Sequence, residues 1–457
     1  FTVLLFVWFG AVPSNSKVWK SLKKDINIFV ISDSGRNGYY DQKPIAEVMG
    51  QMAEKISPRC VVATGDVHHF DGIQSVQDPL WMTNYELIYS HPKLMIPWLP
   101  ILGNHEYRGN TKAVIEYSDI SRRWCMPDRY YTEVYKVKGA TLRIVMIDTT
   151  PIIEQYRRSK DSNYASGAKQ DYNEQLEWLR QDLAAVPKNK MVILCLHIGL
   201  YNRMKKNVDA VRDLIAQFDE AHIMIGHTHF MNHKVNEDGV FEHVHAAASG
   251  AFWWSCLNGD GVPNGYAIYD VDGAHIKNWW YKGTGHDISY QIRMYRGDAE
   301  FGGEFEKFKY PYTHDTVLAN VFMADPAWKV YLYEDGELTG EMERIPVTKD
   351  SVPEADSSRD WYAVGYHLGV IGRSYGDVTD CQSKWNGGGR KGYLTGCNHM
   401  YRLKLKNPNA KQIKVVAKDT NGNVYEQTKF TESFDYSETE LTNKLRLIKR
   451  EELNKSY

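Results

Sequence analysis

The chain has no excess of either charge. Its 55 Lys and Arg nearly balance 57 Asp and Glu, giving a formal net charge of -2 over 457 residues. No basic footprint of the kind nucleic acid requires is present, and no acidic run that would keep the chain disordered. Long apolar runs are scarce too. Phe1 to Val12 is nearly all apolar but too short to span a bilayer as a helix, and no later segment is long and apolar enough to be transmembrane. Pro13-Ser14-Asn15-Ser16 and Lys17 follow that run. Residues 1–16 are therefore expected to be the core and cleavage region of a secretory signal whose first residues are missing, with a buried strand as the competing reading. No Cys follows the run, which leaves a lipoprotein anchor unsupported. The expectation is a secreted or periplasmic protein. Cysteine is sparse, with six in all. Cys60 and Cys195 sit in apolar strand-like runs and read as buried thiols. Cys381 and Cys397 flank Gly387-Gly388-Gly389, and export would permit a disulfide there. Aromatic residues are plentiful, with 30 Tyr and 13 Trp, a composition common in bacterial secreted and glycan-handling proteins.

The length suits two or three domains, each with a sizeable core. Short apolar runs recur at Ile26 to Ile31, Cys60 to Thr64, Leu142 to Ile147, Met191 to Leu196 and Ile223 to Ile225. Strands buried on both faces read this way. Helical spacing lies between them. Ile45, Val48, Met49, Met52 and Ile56 repeat at three and four, and Ser57-Pro58 stops that helix. Leu176, Leu179 and Leu183 repeat likewise, as do Val208, Val211, Leu214, Ile215 and Phe218. Alternating strand and helix predict an α/β layered domain over residues 17–288. From about residue 290 only strands and loops are legible, with hairpin turns at Asp335-Gly336 and Asn421-Gly422. They predict a smaller all-β sandwich over 289–433 and a polar tail over 434–457.

Most of the apolar runs end on a metal-binding side chain. Asp33 follows the first, Gly65-Asp66-Val67-His68-His69 the second, His197 the fourth, and Gly226-His227-Thr228-His229 the fifth. Gly103-Asn104-His105-Glu106 closes a further run, and Asp148-Thr149 ends another. Each patch alone has an ordinary explanation: Asp33 as a helix N-cap, His197 as a satisfied core imidazole. Together they place Asp, Asn and His at one edge of a sheet, where open α/β folds build their sites. That is the ligand set of a hydrolytic two-metal centre. His68 rivals His69, with a solvated or supporting role as its alternative. Asp148 is expected to support a ligand His through a hydrogen bond. His222 reads as surface. His233, His243 and His245 fall in the following hairpin, with His245 the nearest candidate for the pocket and core packing the stronger reading.

The ordered set resembles the calcineurin-like metallophosphoesterase superfamily over about residues 25 to 285. Within it, Gly65-Asp66, Pro97-Trp98-Leu99-Pro100-Ile101-Leu102-Gly103-Asn104-His105-Glu106 and Tyr117-Ser118 through Trp124 are similar to the purple, tartrate-resistant acid phosphatases. Trp253-Trp254 to Gly285 and residues 313 to 430 look like secreted bacterial phosphoesterases with a C-terminal β-sandwich. The resemblance implies a four-layer αββα sandwich. It implies that Asp33, Asp66, His69 and His229 hold one ion, and Asp66, Asn104, His197 and His227 the other, with Asp66 bridging. It also implies that His105 faces substrate and assists the leaving oxygen, beside Asn104. Arg108 is a candidate phosphate contact, with a solvated Arg as its equal. In the purple branch the residue three after the bridging Asp is a Tyr whose phenolate binds ferric iron; here it is His69. Gly35 matches that branch, since the commoner pattern carries His there. A neutral imidazole stabilises ferric iron less, so two divalent ions, Zn, Mn or Fe(II), are expected in a colourless enzyme.

The implied reaction is hydrolysis of a phosphate monoester by a metal-bridging hydroxide. A phosphodiesterase acting on a lipid head group or nucleotide is the alternative. A second class of reading makes the chain a glycan- or protein-binding protein through its β domain, with the first domain inactive. A third makes the β domain a spacer that shapes the cleft mouth.

Overall fold

The computed structural model describes residues 26–35, 42–69, 71–137, 140–151, 162–188, 190–200, 205–250, 256–272, 275–301, 309–347, 358–367 and 397–432. The expected signal segment, Cys381 and the polar tail lie outside these residues. In chain order the first strands are β1 (Ile26–Ile31), β2 (Cys60–Ala63), β3 (Trp98–Pro100), β4 (Tyr131–Val137), β5 (Ala140–Met146), β6 (Met191–Leu196) and β7 (Glu220–Ile225). They continue as β8 (Asn232–Val235), β9 (Phe241–Val244), β10 (Gly265–Asp272) and β11 (His275–Gly283). One sheet has the order β11-β10-β1-β2-β3, the other β4-β5-β6-β7-β9-β8. β1, β2 and β3 run parallel, as do β5, β6, β7 and β9. Six consecutive apolar or small residues leave β6 with no solvent face, so both of its sides must be covered.

Alternation along β6 shows what covers each side. Met191, Ile193 and Cys195 join the core that includes β1, β2 and β10, whereas Val192, Leu194 and Leu196 pack into a second cluster. The second cluster contains Leu179 and Leu183 of one helix, α3 (Ser162–Ala184), and Val211 and Ile215 of another, α4 (Lys205–Ile215). On the other flank α1 (Gln42–Ile56) buries Ile45, Ala46, Met49, Met52 and Ala53 in the first core. The short α2 (Thr111–Glu116) is capped by Asn110, whose Oδ1 accepts the Ala113 N–H at 3.3 Å. Two sheets face each other with helices outside, and every parallel strand delivers its C-terminal end to one edge.

The C-terminal strands are β12 (Ile292–Arg296), β13 (Thr316–Val321), β14 (Lys329–Glu334), β15 (Glu337–Glu341), β16 (Glu343–Arg344), β17 (Met400–Lys404), β18 (Ile413–Lys418) and β19 (Val424–Gln427). They form two antiparallel four-stranded sheets, β12-β13-β17-β16 and β15-β14-β18-β19. The expected turn at Asp335-Gly336 joins β14 to β15 with both residues at positive φ. β12 falls in a stretch with no clear sequence signal, and a six-residue helix, α5 (Trp361–Tyr366), interrupts the all-β pattern. Among the described residues no helix is long and apolar enough to cross a membrane. Cys60 and Cys195 are buried thiols. Cys397 is buried, its thiol donating to the Ser358 carbonyl at 3.1 Å, and its expected partner Cys381 lies outside the described residues.

Candidate metal centre

Asp33, Asp66, Asn104, His197, His227 and His229 all lie within a few residues of a strand's C-terminal end. Four of the six non-glycine residues with positive φ among those described are Asp33 (48°), Asp66 (54°), His227 (70°) and His229 (59°). That backbone region costs a β-carbon residue energy and concentrates where function requires an unusual side-chain direction. Gly35 and Gly103 let the loops close on one another. A Cβ at Gly35 would sit 1.6 Å from the Val67 carbonyl oxygen, and one at Gly103 would sit 2.1 Å from Asp66 Oδ1. Gly35 is thus held against the Asp66–His69 turn, and its carbonyl lies 2.7 Å from His69 Nδ1.

The side chains converge on two buried carboxylates. His197 Nε2 is 3.2 Å from Asp66 Oδ2, His69 Nε2 3.6 Å and His105 Nε2 3.9 Å. Asn104 Oδ1 lies 3.2 Å from His197 Nε2. His229 Nε2 is 3.0 Å from Asp33 Oδ1, and Asp33 Oδ2 accepts the His227 N–H at 3.0 Å. Two three-residue groups bring their ligand atoms within 4.8 Å of one another: Asp66 with His69 and His105, and Asp66 with His197 and His227. Asp66 belongs to both. His105 stands within reach of the first group, although the resemblance gives it no ligand role.

The donor chemistry fits divalent cations. A carbonyl oxygen only accepts, so His69 Nδ1 donates to Gly35 and His197 Nδ1 donates to Thr64, each at 2.7 Å. Both imidazoles therefore turn Nε2 toward Asp66, as metal-binding histidines do when a carbonyl holds their other nitrogen. Burial pushes the carboxyl of Asp33 up, but His229 and His197 override it and hold it at about 2. Asp66 is likewise opposed by burial and held well below the usual range by His197 and His105. Burial opposes a charge on His197, yet Asp66, hydrogen-bonded to it and seconded by Asp33, pushes its imidazole up to about 10. His227 is lowered to about 4 by burial and by its neighbour His197. Two buried carboxylates attract positive charge strongly, and a cation arriving beside them would displace the His197 proton and take up the imidazole lone pairs.

Glu106 is the residue that sequence reasoning left without a role. Its buried carboxylate accepts the N–H of Gly103 at 2.7 Å, of Asp66 at 3.0 Å and of His68 at 2.9 Å. It ties the Asn104 loop to the Asp66 loop. A charged residue directly after Asn104-His105, inside a loop between apolar runs, was the only available signal. His68 is not solvated: it is fully buried, edge-on to Trp81 with ring centroids 4.5 Å apart. Arg108 lies exposed on the single turn Glu106–Arg108.

Two other expectations need correction. Asp148 accepts from the Tyr107 hydroxyl and, at 3.3 Å, from Arg129 Nη1, rather than supporting a ligand His. Burial pushes its carboxyl up to about 7 despite these partners. His222 is not at the surface. It lies within β7, buried, with Nδ1 2.9 Å from His243 Nε2. His245, by contrast, packs in the core as its stronger reading had it, against the Ile225 carbonyl at 3.0 Å and the Tyr269 hydroxyl at 2.9 Å. For the two histidines the partners come from neighbouring strands, and for Asp148 from the turn at Tyr107 and the loop before β4, all distant in sequence.

Comparison with known proteins gives two family matches. The model described as "Calcineurin-like phosphoesterase" matches residues 26–231, and "C terminal of Calcineurin-like phosphoesterase" matches residues 242–425. Purple acid phosphatase 17 of Arabidopsis thaliana is 27% identical over 245 residues, covering 51% of this chain and 71% of that protein. Tartrate-resistant acid phosphatase type 5 of Oryctolagus cuniculus is 26% identical over 237 residues, covering 48% of this chain and 70% of that protein. Among solved structures, one titled "GAP50 the anchor in the inner membrane complex of Plasmodium" aligns with a TM-score of 0.45 and 16% identity, covering 58% of this chain and 87% of that one.

Proposed function

Since the chain belongs to the calcineurin-like phosphoesterase family, we propose that it is a metal-dependent hydrolase of phosphate monoesters whose centre holds two divalent ions. The single observation that carries this reading is the sharing of Asp66 between two ligand groups. Asp33, Asp66, His69 and His229 would hold one ion, and Asp66, Asn104, His197 and His227 the other. When bound, such ions act as Lewis acids on phosphoryl oxygens and make water acidic enough to attack near neutral pH.

The chain's own residues prepare the site. Asp66 Oδ1 accepts the His105 N–H at 2.9 Å, which leaves Oδ2 for the imidazoles. The carbonyls of Gly35 and Thr64 fix the tautomers of His69 and His197. His105 is buried beside this cluster, its ring edge-on to His69 with centroids 4.2 Å apart. It is suited to face the substrate and give a proton to the leaving oxygen. With His69 where the purple branch has a phenolate, the centre favours Zn, Mn or Fe(II) over ferric iron.

The test is hydrolysis of p-nitrophenyl phosphate and bis-p-nitrophenyl phosphate by metal-loaded protein, with and without chelator. Faster, chelator-sensitive turnover of the monoester supports the reading. Preference for the diester moves the chain to phosphodiesterases. Two bound ions with no turnover of either ester would sink the monoesterase assignment.

A further inference from the structure

The loop from Gly226 to Met231 holds His227 and His229 in left-handed backbone, which persists only where neighbours impose it. One such neighbour is Asp260. Its Oδ2 accepts the N–H of Met231, two residues past His229, at 2.6 Å, and its Oδ1 accepts the Val262 N–H at 3.1 Å. The Asp260 side chain is fully buried. A buried carboxylate accepting a backbone N–H makes a stronger bond than a neutral acceptor.

The other side of Asp260 is built into the C-terminal sandwich. Asn320 of β13 donates Nδ2 to the Asp260 carbonyl at 2.7 Å. A carbonyl has no proton to give, so this bond fixes the amide orientation and leaves Asn320 Oδ1 to accept from His399 Nδ1 at 2.7 Å. The His399 ring packs beside the carboxylate, with Nε2 3.4 Å from Asp260 Oδ2. Arg293 of β12 donates to the Gly261 carbonyl. Gly261 has φ 83°, and a Cβ there would meet Asp360 Oδ2 at 2.2 Å. The turn around Asp260 is therefore clamped by the sandwich and in turn grips the histidine loop.

We infer, on the premise of the metal centre proposed above, that Asp260 is a positioning residue through which the C-terminal sandwich holds His227 and His229 in metal-binding geometry. The sandwich is then part of the metal site and not a tethered module. Asn320 holds the Asp260 backbone carbonyl, His399 packs against the carboxylate, and the bond to Met231 carries that position to the loop.

Zinc alone, titrated into the chelator-stripped full chain, tests this. Asp260→Ala should weaken zinc binding by about 10–100-fold and His399→Ala by a smaller factor, the range seen when a group that orients a metal ligand is removed. Asp260→Asn keeps an acceptor oxygen and should recover part of the loss. Asn423→Ala is the control, because it cuts another buried bond between the sandwich and β11, to Asn278 Oδ1 at 2.7 Å, without touching the histidine loop. Its zinc affinity should match wild type even if its stability falls. Wild-type affinity in Asp260→Ala, or an equal loss in Asn423→Ala, overturns the inference. Should Asp260→Ala fail to fold, His399→Ala decides, and unchanged affinity there overturns it. A wild-type chain that binds no zinc, manganese or ferrous iron overturns the metal centre itself, and the positioning role with it.

Discussion

Glu106→Gln is a small change in shape with a large expected effect. The carboxylate accepts three backbone N–H groups, two through Oε2 (Gly103, Asp66) and one through Oε1 (His68). A glutamine oxygen can replace Oε2 for the first two, as a neutral acceptor. Its NH2 group then faces the His68 N–H, donor against donor. The variant loses one bond to a charged group, about 1.5–3 kcal/mol, and orphans a buried N–H at about 1–3 kcal/mol. Allowing for relaxation, the expected destabilisation is about 3–5 kcal/mol. That is a large share of the roughly 5–15 kcal/mol by which a domain is stable. Urea unfolding of metal-free protein measures it. Glu106→Ala, which orphans all three donors, should be worse. The two loops also carry Asp66 and Asn104, so zinc affinity should fall by about 10–100-fold. A Glu106→Gln protein within about 0.5 kcal/mol of wild type, the range of ordinary surface changes, and with unaltered zinc affinity, would show that the clamp is not holding the loops.

Asp66→Asn should lose both ions together, read by metal stoichiometry, whereas loss of one ion only would mean that the carboxylate does not bridge. His105→Ala should lower turnover and keep metal content; a drop in bound metal would make His105 a ligand, as its 3.9 Å distance from Asp66 permits. Metal-loaded wild type should lack a strong visible band, and His69→Tyr loaded with ferric iron should gain one; a coloured wild type would refute the role given to His69. Burial lowers His245 from 6.5 to about 4. Its folded-state value lies below the unfolded one, so its contribution is complete above pH 6.5 and is lost as pH falls toward 4, by about 2 kcal/mol at pH 5. Asp148, raised to about 7, works with the opposite sign: its cost is present above pH 7 and eases on acidification. The comparison of His245→Gln with wild type isolates the histidine. Urea midpoints at pH 7 and pH 5 should show a shallower decline for the variant, and parallel declines would refute the assignment.

Much of the fold was legible because its strands are buried on both faces. β1 and β6 match the expected runs residue for residue, and α1 stops just before Ser57-Pro58. A continuous apolar run between turn residues has few alternatives in water. β8 and β9 were read only as a hairpin, and β12 was not read at all: half-exposed β8 mixes polar and apolar residues, and β12 carries Arg293 and Arg296 although four of its five residues are buried. The candidate ligands were legible for a related reason. An Asp, Asn or His directly after a buried strand must emerge at the sheet edge, whatever the rest of the chain does.

Chain order alone thus determined that carboxylates, an amide and imidazoles would gather at one edge, since strand direction and apolar patterning are local properties. Tertiary structure decided which of them share a carboxylate and what holds them there. Glu106 has meaning only once two loops lie side by side, Gly35 only once its carbonyl meets His69, and Asp260 only once the sandwich closes over its turn. Hydrogen bonds form between groups close in space, and the pairs Gly35–His69, Asp66–Glu106 and Asp260–Asn320 lie 34, 40 and 60 positions apart along the chain.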